Sequence, residues 1–542
     1  MITGKTMAMH DEKKQSSIAF VIGASSVGTL IEWYDFYIFG MLATILSKQF
    51  FPAEAGTAAL LSTLAIFAAG FIVRPFGALV FGRLGDLIGR KHTFLLTLVI
   101  MGGSTFAIGL VPGYSSIGWA APILVLVLRL LQGLALGGEY GGAATYVAEH
   151  APAGQRGFWT SWIQTTATLG LFLALGVIIL IRSNQGVEKF SAEWGGWRYP
   201  FWISILLVGV SVLIRMRMSE SPMFSKLKSE GKTSTNPLKE SFGNKSNFKM
   251  VLLALFGAVM GQGVVWYTGQ FYAQSFIETV CNIDFVQSRN IMLVAILMAT
   301  PCFVLFGWLS DKVGRKWIML LGMLLAIFTY RPIYKQFIAI TSEANKTNEI
   351  QKRISTTGPL VAYVHDAKLP LVYLRKTFDT VYYTDGSVFK YKITDTFFAK
   401  KELSIDKPIA YSHPDLMTHT PKSSTVIEKT MGKSPTWYLI VLIFIQIVYV
   451  TMVYGPIAAF LVEMFPTKIR YTSMSLPYHI GNGVFGGLVP FLGTLIVEFT
   501  KSEAHPKGDV LAGLWYPIGV AAICLVIGVV YLSNKLDENV MD

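Results

Sequence analysis

The 542-residue chain is 52% hydrophobic and only 15% charged, with a formal net charge of +13. Soluble domains average roughly a quarter charged residues, so this composition excludes a single soluble core and favours lipid as the solvent. Much of the positive charge lies in short loops beside apolar runs, where it orients a membrane protein and meets anionic headgroups, so nucleic-acid binding is not expected.

Twelve apolar runs recur along the chain, each about long enough to cross roughly 30 Å of hydrocarbon at about 1.5 Å per residue. With approximate ends, they cover residues 18–46, 57–81, 93–112, 121–148, 157–181, 199–216, 250–276, 288–309, 317–338, 437–462, 472–498 and 511–532. We therefore predict an all-α membrane protein of twelve transmembrane helices, with both termini on one side of the membrane.

Basic residues are concentrated in alternate connections between these runs. They are Arg83, Arg90, Lys91, Arg156, those from Arg215 to Lys249, Lys312, Arg315, Lys316, Lys468 and Arg470. Positive residues mark cytoplasmic loops, so both termini are predicted to be cytoplasmic. The first apolar run is too long and too acidic for a cleavable signal peptide. The pattern is typical of a multi-pass protein of a bacterial-type inner (plasma) membrane.

The first run contains GTLIEWYDFYIFG, residues 28–40, with two acids at Glu32 and Asp35. A charge at bilayer depth costs at least roughly 2.5–3.5 kcal/mol, so such groups normally face a cavity or a partner. Three residues apart on a helix, these two share a face and are expected to look into one cavity. Because two nearby carboxylates resist ionising together, one of them is suited to bind and release a proton. Alternatively, either acid permanently neutralises an arginine.

Arg74, Arg129 and Glu139 are the other charged residues that fall within apolar runs of the first half. Counting about 1.5 Å per residue from the basic loops places Arg74 and Glu139 at one depth, with Asp35 and Arg129 deeper. Depth thus allows a Glu139–Arg74 pair and an Asp35–Arg129 pair. An arginine suits a carboxylate substrate because its planar fork offers paired donors and its charge cannot be lost. With Glu32, these residues are our candidates for proton coupling and substrate binding.

Two short matches indicate an internal repeat. GRLGDLIGRK at residues 82–91 matches GWLSDKVGRK at 307–316, an offset of 225 residues, whereas Glu149 and Arg156 match Glu463 and Arg470 at an offset of 314. The difference of 89 residues locates an insertion between the two second-half motifs.

The insertion falls between the ninth and tenth spans, on the side opposite the basic loops. Its segment YLRKTFDTVYYTDGSVFKYKITDTF, residues 373–397, is rich in β-branched and aromatic residues and is broken at Asp385-Gly386, which predicts a β-hairpin. Two roles of the insertion stay open: docking of a partner, and capturing or gating of substrate. The predicted division is 1–216 N-terminal six-helix bundle, 217–249 cytoplasmic linker, 250–338 first part of the C-terminal bundle, 339–436 small extracytoplasmic β-containing insertion, and 437–542 the rest of that bundle with a cytoplasmic tail.

Twelve spans with paired GxxxDxxGRK loops resemble the major facilitator superfamily, whose fold is two six-helix bundles around a central cavity. GTLIEWYDFYIFG, FIVRPFGALVFGRLGDLIGRK, LRLLQGLALGGEYGGAATYVAEHAPAGQRG, WGGWRYPFW and SESPMF, in this order, resemble its metabolite:proton symporter family, which includes carriers of α-ketoglutarate, citrate, shikimate, proline and betaine. The resemblance covers the chain apart from the insertion, which departs from the usual pattern. It also implies a link to proton transfer for Arg129, within Arg129-x-x-Gln132-Gly133.

The repeated motifs resemble the cytoplasmic ion-pair latch that stabilises the outward-open state in this superfamily. The residues concerned are Gly82, Asp86, Gly89, Arg90, Lys91, Glu149, Arg156, Gly307, Asp311, Gly314, Arg315, Lys316, Glu463 and Arg470. Asp86 and Asp311 would gain from the dipole of a following or adjoining helix, and the four glycines would permit tight turns. Loop packing and topology are the alternative reading. Glycines of the fourth run, such as Gly137, are expected to allow close helix packing.

Uncharged candidates for the substrate path lie in the second half. They are Gln262, Trp266, Tyr267, Gln270 and Asn482, with Gln446, Tyr454 and His479 as further candidates. Aromatic residues at such depths also serve as packing or interfacial anchors.

The leading interpretation is a secondary active transporter that moves a small organic acid, or a zwitterion bearing a carboxylate, with a proton by alternating access. Two alternatives stay open: a proton-independent facilitator or exchanger of the same fold, and a non-transporting sensor that uses the insertion. An enzyme is not expected, since the sequence shows no nucleophile–base constellation. Cys281, Cys302 and Cys524 are far apart, so neither a disulfide framework nor a metal site is indicated, and no cofactor is expected. The expected partners are a small carboxylate-bearing substrate, protons and the lipid bilayer.

Overall fold

The computed structural model describes residues 18–52, 56–152, 154–216, 220–363, 371–399, 422–503 and 507–534. Within these ranges the chain forms long helices in two groups and one four-stranded sheet. The helices are α1 Ile18–Met41, α2 Ala43–Phe50, α3 Gly56–Ile88, α4 Arg90–Ile108, α5 Ala120–His150, α6 Arg156–Ser191, α7 Tyr199–Met216, α8 Pro222–Ser229, α9 Pro237–Gly243, α10 Lys245–Thr279, α11 Phe285–Val313, α12 Arg315–Thr341, α13 Lys433–Met464, α14 Arg470–Phe499 and α15 Trp515–Tyr531. We call α1–α7 the N half and α10–α15 the C half.

Eleven helices of the described chain are long and apolar enough to cross a membrane, and α1 with α2, bent by 62°, make a twelfth broken span. The prediction of a helical protein with about twelve spans is thereby confirmed. Several helices run beyond their apolar stretches: α3 extends to Ile88, and α11 to Val313. The motif residues Asp86 and Asp311 are therefore helical, not in loops.

Helices α3 and α5 pack backbone against backbone. A side chain at Gly77 would overlap the carbonyl group of Leu134, and one at Gly137 would overlap the carbonyl oxygen of Arg74. Without a hydrophobic driving force in lipid, such close approach supplies the dispersion contacts that hold helices together. The packing role predicted for the glycines of α5 is confirmed at Gly137.

Helix α10 departs from α-helical geometry twice, in π-helical turns at Leu255–Val259 and Thr268–Tyr272. Helix α14 has one such turn at Ile480–Gly486. Between the two π-helical turns of α10, a side chain on Gly263 would overlap the carbonyl oxygen of Gly481, so the backbones of α10 and α14 are in close contact there. Turns of this kind widen a helix locally and are frequent at functional sites.

The insertion is an antiparallel meander of four strands, β1 Ile350–Tyr363, β2 Leu371–Tyr383, β3 Val388–Ala399 and β4 Lys422–Thr430, in sequential order. Strands β2 and β3 form the predicted hairpin, pairing from Tyr382↔Val388 to Leu371↔Ala399. Its turn contains Gly386 at φ 82°, a conformation that favours glycine. The expectation of a small β-containing insertion is confirmed.

The sheet is fixed to the C half through the connection between α10 and α11. Lys429 of β4 donates its backbone N–H to the Asn282 carbonyl at 2.7 Å and accepts from Asp284 N at 2.9 Å. Gln287 clamps Met431, donating to its carbonyl and accepting from its N–H, both at 2.7 Å. Since β4 leads directly into α13, three segments of the C half hold the base of the sheet.

We predict that Asp385→Asn loosens the β2–β3 turn. Asp385 forms an ion pair with Lys346 and accepts the Ser387 N–H at 2.9 Å. Removing the charge is expected to lower the free energy of local opening of the turn by about 1.5–3 kcal/mol. Faster hydrogen–deuterium exchange of residues 383–388 would measure this change. Thr384→Ser, at an exposed position of the same turn, is the control.

The same contact has a defined pH dependence. Burial raises the pKa of Asp385, but Lys346 and Ser387 outweigh burial and leave this pKa below its ordinary value of 3.8. A lowered folded-state pKa contributes stability that is complete above the unfolded value and is lost as pH falls through the folded one. Protection of residues 383–388 from hydrogen–deuterium exchange should persist at about pH 5 and be lost only below about pH 4. Equal exchange in wild type and Asp385→Asn at neutral pH would contradict this role.

Candidate functional site

An aromatic cluster lies at the centre of the interface between the two halves. The ring of Trp33 in α1 is 6.2 Å from that of Trp266 in α10, and Trp266 is 4.6 Å from Tyr454 in α13. Nearby, the ring of Phe71 in α3 is 6.4 Å from that of Tyr267. Trp266 and Tyr267, predicted from the sequence to line the substrate path, thus contact the opposite half.

Arg74 is the cation beside this cluster. Its guanidinium lies 4.1 Å from the centre of the Phe71 ring and 5.1 Å from that of Phe36, and the residue is 8% exposed. Glu32 of the N half and three phenol groups of the C half, those of Tyr267, Tyr454 and Tyr478, lie in its neighbourhood. The aromatic faces stabilise the cation without neutralising it, which leaves its planar fork suited to a carboxylate.

Polar side chains of α10 and α14 meet on the C-half side. The Asn482 amide donates to Gln262 Oε1 at 2.9 Å. Gln262 is fully buried, and its Nε2 finds no acceptor in the part of the chain that the structure describes. A buried donor of this kind calls for a water or a ligand. Gln270, also a predicted lining residue, is buried in the second π-helical turn of α10.

The two acids of α1 have different surroundings, contrary to the expectation that they face one cavity together. Glu32 is buried within electrostatic reach of Arg74. Asp35 is fully buried inside the N half, with the hydroxyls of Thr105 in α4 and Ser204 in α7 as its polar neighbours. A spacing of three residues leaves roughly 60° between side chains, enough to aim them at different helices.

A polar chain leads from Asp35 towards Arg129. Gln132 donates to the Thr105 hydroxyl at 2.8 Å and accepts a hydrogen bond from Arg129. The Arg129 guanidinium also lies 4.4 Å from the centre of the Phe39 ring. Thr105 and Gln132 are buried and lie between the acid and the arginine, although neither oxygen of Asp35 accepts a hydrogen bond from a described residue.

The depth argument did not yield the Asp35–Arg129 pair. Asp35 and Arg129 form no direct ion pair in this conformation, because Gln132 and the phenylalanine rings surround the guanidinium. The side chain of Glu139 lies outside the described residues, so the Glu139–Arg74 pair stays a prediction. Depth along a helix does not specify which neighbour a side chain faces.

At the end of the molecule that carries the basic loops, two carboxylates each cap a helix of the opposite half. Asp86 in α3 accepts hydrogen bonds from the backbone N–H and the hydroxyl of Thr472, at 2.9 and 2.8 Å, in the first turn of α14. Asp311 in α11 accepts the N–H groups of Gly157 and Phe158, at 2.8 and 2.7 Å, in the first turn of α6. Each carboxylate thus stabilises the start of a helix in the other half, because the free N–H groups and the dipole at a helix start favour an anion.

Ion pairs reinforce both caps. Arg470 donates to Glu149 at 3.0 Å across the interface, and Arg90 lies 3.1 Å from Asp86 and 3.7 Å from Glu149. In the repeat, three further residues complete the arrangement. Arg315 lies 2.5 Å from Asp311 and 2.7 Å from Glu463, whose carboxylate is 4.0 Å from Arg156. These buried networks join the N and C halves, and we call them the latch.

The predicted glycines and lysines of the latch have separate roles. Gly89 and Gly314, at φ 116° and 94°, make the turns that were expected. Gly82 and Gly307 do not: both lie inside helices, Gly82 against the backbone of Thr472 and Gly307 where a side chain would overlap Ser161. The lysines bind carbonyl groups, Lys91 that of Met216 and Lys316 those of Val529 and Leu532.

The connection between the halves also contacts the latch, a role the sequence reading missed. The Glu220 carboxylate accepts the N–H of Arg90 at 3.2 Å, and the Ser221 hydroxyl donates to Glu149. The Phe224 ring lies 4.6 Å from the Arg90 guanidinium. The available signal was the segment SESPMF, whose serine-proline pair is typical of a capped helix start.

Comparison with known proteins agrees with this architecture. The model of the Major Facilitator Superfamily matches residues 25–334, a segment that ends before the insertion. The chain is 36% identical to the proline/betaine transporter of Salmonella typhimurium over 332 residues, 59% of this chain, and spans about 64% of that relative's length. It is 37% identical to the alpha-ketoglutarate permease of Escherichia coli over 310 residues, 57% of this chain and 69% of the permease.

The fold is also that of a solved structure, the proton:xylose symporter XylE of E. coli bound to 6-bromo-6-deoxy-D-glucose. The TM-score is 0.62 at 14% identity, over 95% of this chain and 96% of that one. At this identity the likeness concerns the fold alone. The family model covers more than half of the sequence, and the helices, the paired motifs and the interface agree with it. This chain belongs to the major facilitator superfamily.

Proposed function

We propose that this chain is a secondary active transporter that carries a small carboxylate-bearing molecule across the membrane together with a proton. The single observation that carries the proposal is the position of Arg74, a buried cation beside the aromatic cluster that both halves share. A substrate held there contacts both halves at once, as alternating access requires. The names of the proline/betaine and alpha-ketoglutarate relatives support a carboxylate substrate.

The aromatic walls favour a carboxylate whose other end is a compact cation. The Trp33 ring lies 6.0 Å from that of Phe36, on which Arg74 rests, and Trp266 and Tyr454 continue the same cluster. Indole and phenol faces attract ammonium groups, including quaternary ones. Arg74 would bind the carboxylate by its fork, while Gln262 has a donor to spare for a second polar contact. A zwitterion such as betaine or proline satisfies both ends of this site better than a dicarboxylate does.

Asp35 is our proposed proton carrier. It is fully buried, has no ion-pair partner within 4 Å in the described chain, and is therefore costly to leave charged. Deprotonation would place a negative charge at one end of the Thr105–Gln132 path and draw Arg129 away from its phenylalanine rings. Protonation would release Arg129 to the arrangement seen here, so that the protonation state of Asp35 alters the interior of the N half.

The latch defines the conformation. We place the basic loops, both termini and the latch on the cytoplasmic side of a bacterial-type inner membrane and the sheet on the opposite side, as the distribution of lysine and arginine favours. The structure is then the state closed to the cytoplasm. Rocking to the other state must break the caps at Asp86 and Asp311 together with the Glu149–Arg470 pair.

Two other functions fit this fold less well. A facilitator without proton coupling has no use for a buried acid that lies beside a polar path to an arginine. A sensor that does not cycle has no need for two networks that join opposite halves in one conformation only. Flux and proton measurements on the purified full-length chain separate all three.

We predict that proton entry follows substrate entry and depends on Asp35. In proteoliposomes loaded with a pH dye, betaine, proline, citrate, shikimate and α-ketoglutarate are added in turn to wild type, Asp35→Asn and Glu32→Gln. Asp35→Asn should abolish substrate-driven acidification and keep counterflow exchange of labelled substrate. Glu498→Gln, at an exposed acid, is the matched control. Substrate entry without protons, equal in wild type and Asp35→Asn, would disprove the coupling.

Substrate recognition is tested at Arg74 and Trp266. Arg74→Lys removes the planar fork and should weaken binding of every carboxylate substrate by about 1.5–3 kcal/mol, roughly 10–100-fold. Trp266→Leu should weaken betaine and proline more than α-ketoglutarate, as competition against labelled substrate would show. Trp437→Leu, at an exposed tryptophan, is the control. If α-ketoglutarate and betaine lose affinity equally in Trp266→Leu, the zwitterion preference is wrong.

The latch is tested by the conformational equilibrium. Asp311→Asn weakens one helix cap by about 1–2 kcal/mol and should raise the population open at the latch end roughly 5–30-fold. Spin labels at exposed Arg83 and Val313, one in each half, report the separation by pulsed dipolar spectroscopy. Glu498→Gln again serves as control. An unchanged distance distribution in Asp311→Asn would leave the caps without a role in holding this state.

A further inference from the structure

A groove of about 690 Å³ opens on the membrane face between α6 of the N half and α11 of the C half. Phe158, Trp162 and Leu169 form one wall, and Pro301, Leu305 and Trp308 form the other. The two threonines that also border it donate their hydroxyls to carbonyls of their own helices. The groove is therefore apolar throughout, and its walls belong to opposite halves.

The corresponding interface of the repeat is filled. There the Tyr471 ring of α14 lies against Gly85 of α3, where any side chain would overlap it, and its hydroxyl donates to the Gly138 carbonyl. The 314-residue offset that aligns Arg470 with Arg156 places Gly157 at the position of Tyr471. The first turn of α6 is instead closed by direct contact of Gly157 with Gly307 of α11, and the groove lies along the neighbouring face of the two helices, which begins at Phe158.

The latch end of the groove carries a cation and free donors. Lys312 is exposed, and its Nζ lies 3.9 Å from the centre of the Trp308 ring. The indole N–H groups of Trp162 and Trp308 donate no hydrogen bond to any residue that the structure describes. An apolar groove that ends in a lysine and an indole, at the end of the molecule that carries the basic loops, complements a lipid with a phosphate headgroup.

We propose that this groove binds one acyl chain of an anionic glycerophospholipid, with the lipid phosphate on Lys312. The site touches the latch directly: Phe158 lines the groove, and its backbone N–H donates to Asp311 at 2.7 Å. Lys312 follows Asp311 in the sequence. A chain seated between α6 and α11 contacts both halves and stabilises the latched arrangement; this second part rests on the alternating access proposed above, whereas binding does not.

Binding is tested by native mass spectrometry of the full-length protein after delipidation and titration with phosphatidylglycerol, phosphatidylcholine or diacylglycerol. Phosphatidylglycerol should bind best and diacylglycerol least, and inorganic phosphate should not displace the lipid. Lys312→Gln should lower phosphatidylglycerol affinity about tenfold, the effect of one charge-assisted hydrogen bond. Val304→Trp, which fills the groove, should lower it for all three lipids.

Lys501→Gln, at an exposed lysine outside the groove, is the matched control and should bind like wild type. Equal affinity in wild type, Lys312→Gln and Val304→Trp would reduce the site to non-specific lipid contact and overturn the proposal. Lys312→Gln is at an exposed position, so it remains informative if Val304→Trp does not fold.

The conformational part is tested with the Arg83 and Val313 spin labels in nanodiscs. Phosphatidylglycerol should favour the short distance in wild type, and Lys312→Gln should remove this lipid dependence. If the lipid binds specifically but does not change the distance distribution, the proposed effect on the latch is wrong. The proposed lipid site would stand. Failure of proton-coupled transport would not affect the binding result.

Discussion

Two carboxylates, each seated on the first turn of a helix in the other half, are the constraint on which this conformation depends. Asp86 accepts a backbone N–H at the start of α14, and Asp311 accepts one at the start of α6. Free N–H groups at a helix start favour an anion, and burial strengthens that preference. Arg90 and Arg315 neutralise the remaining charge within the same networks. The two halves are thus held together at one end by hydrogen bonds that run from one half to the other.

At the centre, cations rest on aromatic rings. Arg74 lies over Phe71, and Arg129 lies over Phe39 while it donates to Gln132. Aromatic faces reduce the cost of burying a guanidinium but leave its charge in place. Both guanidinium groups therefore remain cations in the middle of the N half, and Glu32 is the described acid within electrostatic reach of Arg74.

Much of the architecture was predictable because lipid restricts the options. Apolar run length predicted the spans, the repeat located the paired motifs whose resemblance to a known latch supplied its candidate residues, and Asp385-Gly386 predicted the hairpin. The cap partners were not predictable, since a backbone N–H leaves no mark in the sequence. Depth could not separate the environments of Glu32 and Asp35, because it says nothing of direction around the helix. Gly82 and Gly89 look alike in a motif, yet one serves packing and the other a turn.

The attachment of the sheet has a mechanical consequence. Its base is held by the α10–α11 connection, by α11 and by α13, all in the C half, whereas strands of 12–14 residues extend roughly 40 Å at about 3.3 Å per residue. A rigid arm of that length converts a rotation of a few degrees at the helices into a displacement of several ångströms at its tip. If the two halves rock as proposed above, the insertion moves with the C half, and a partner bound at its far end would be displaced with it.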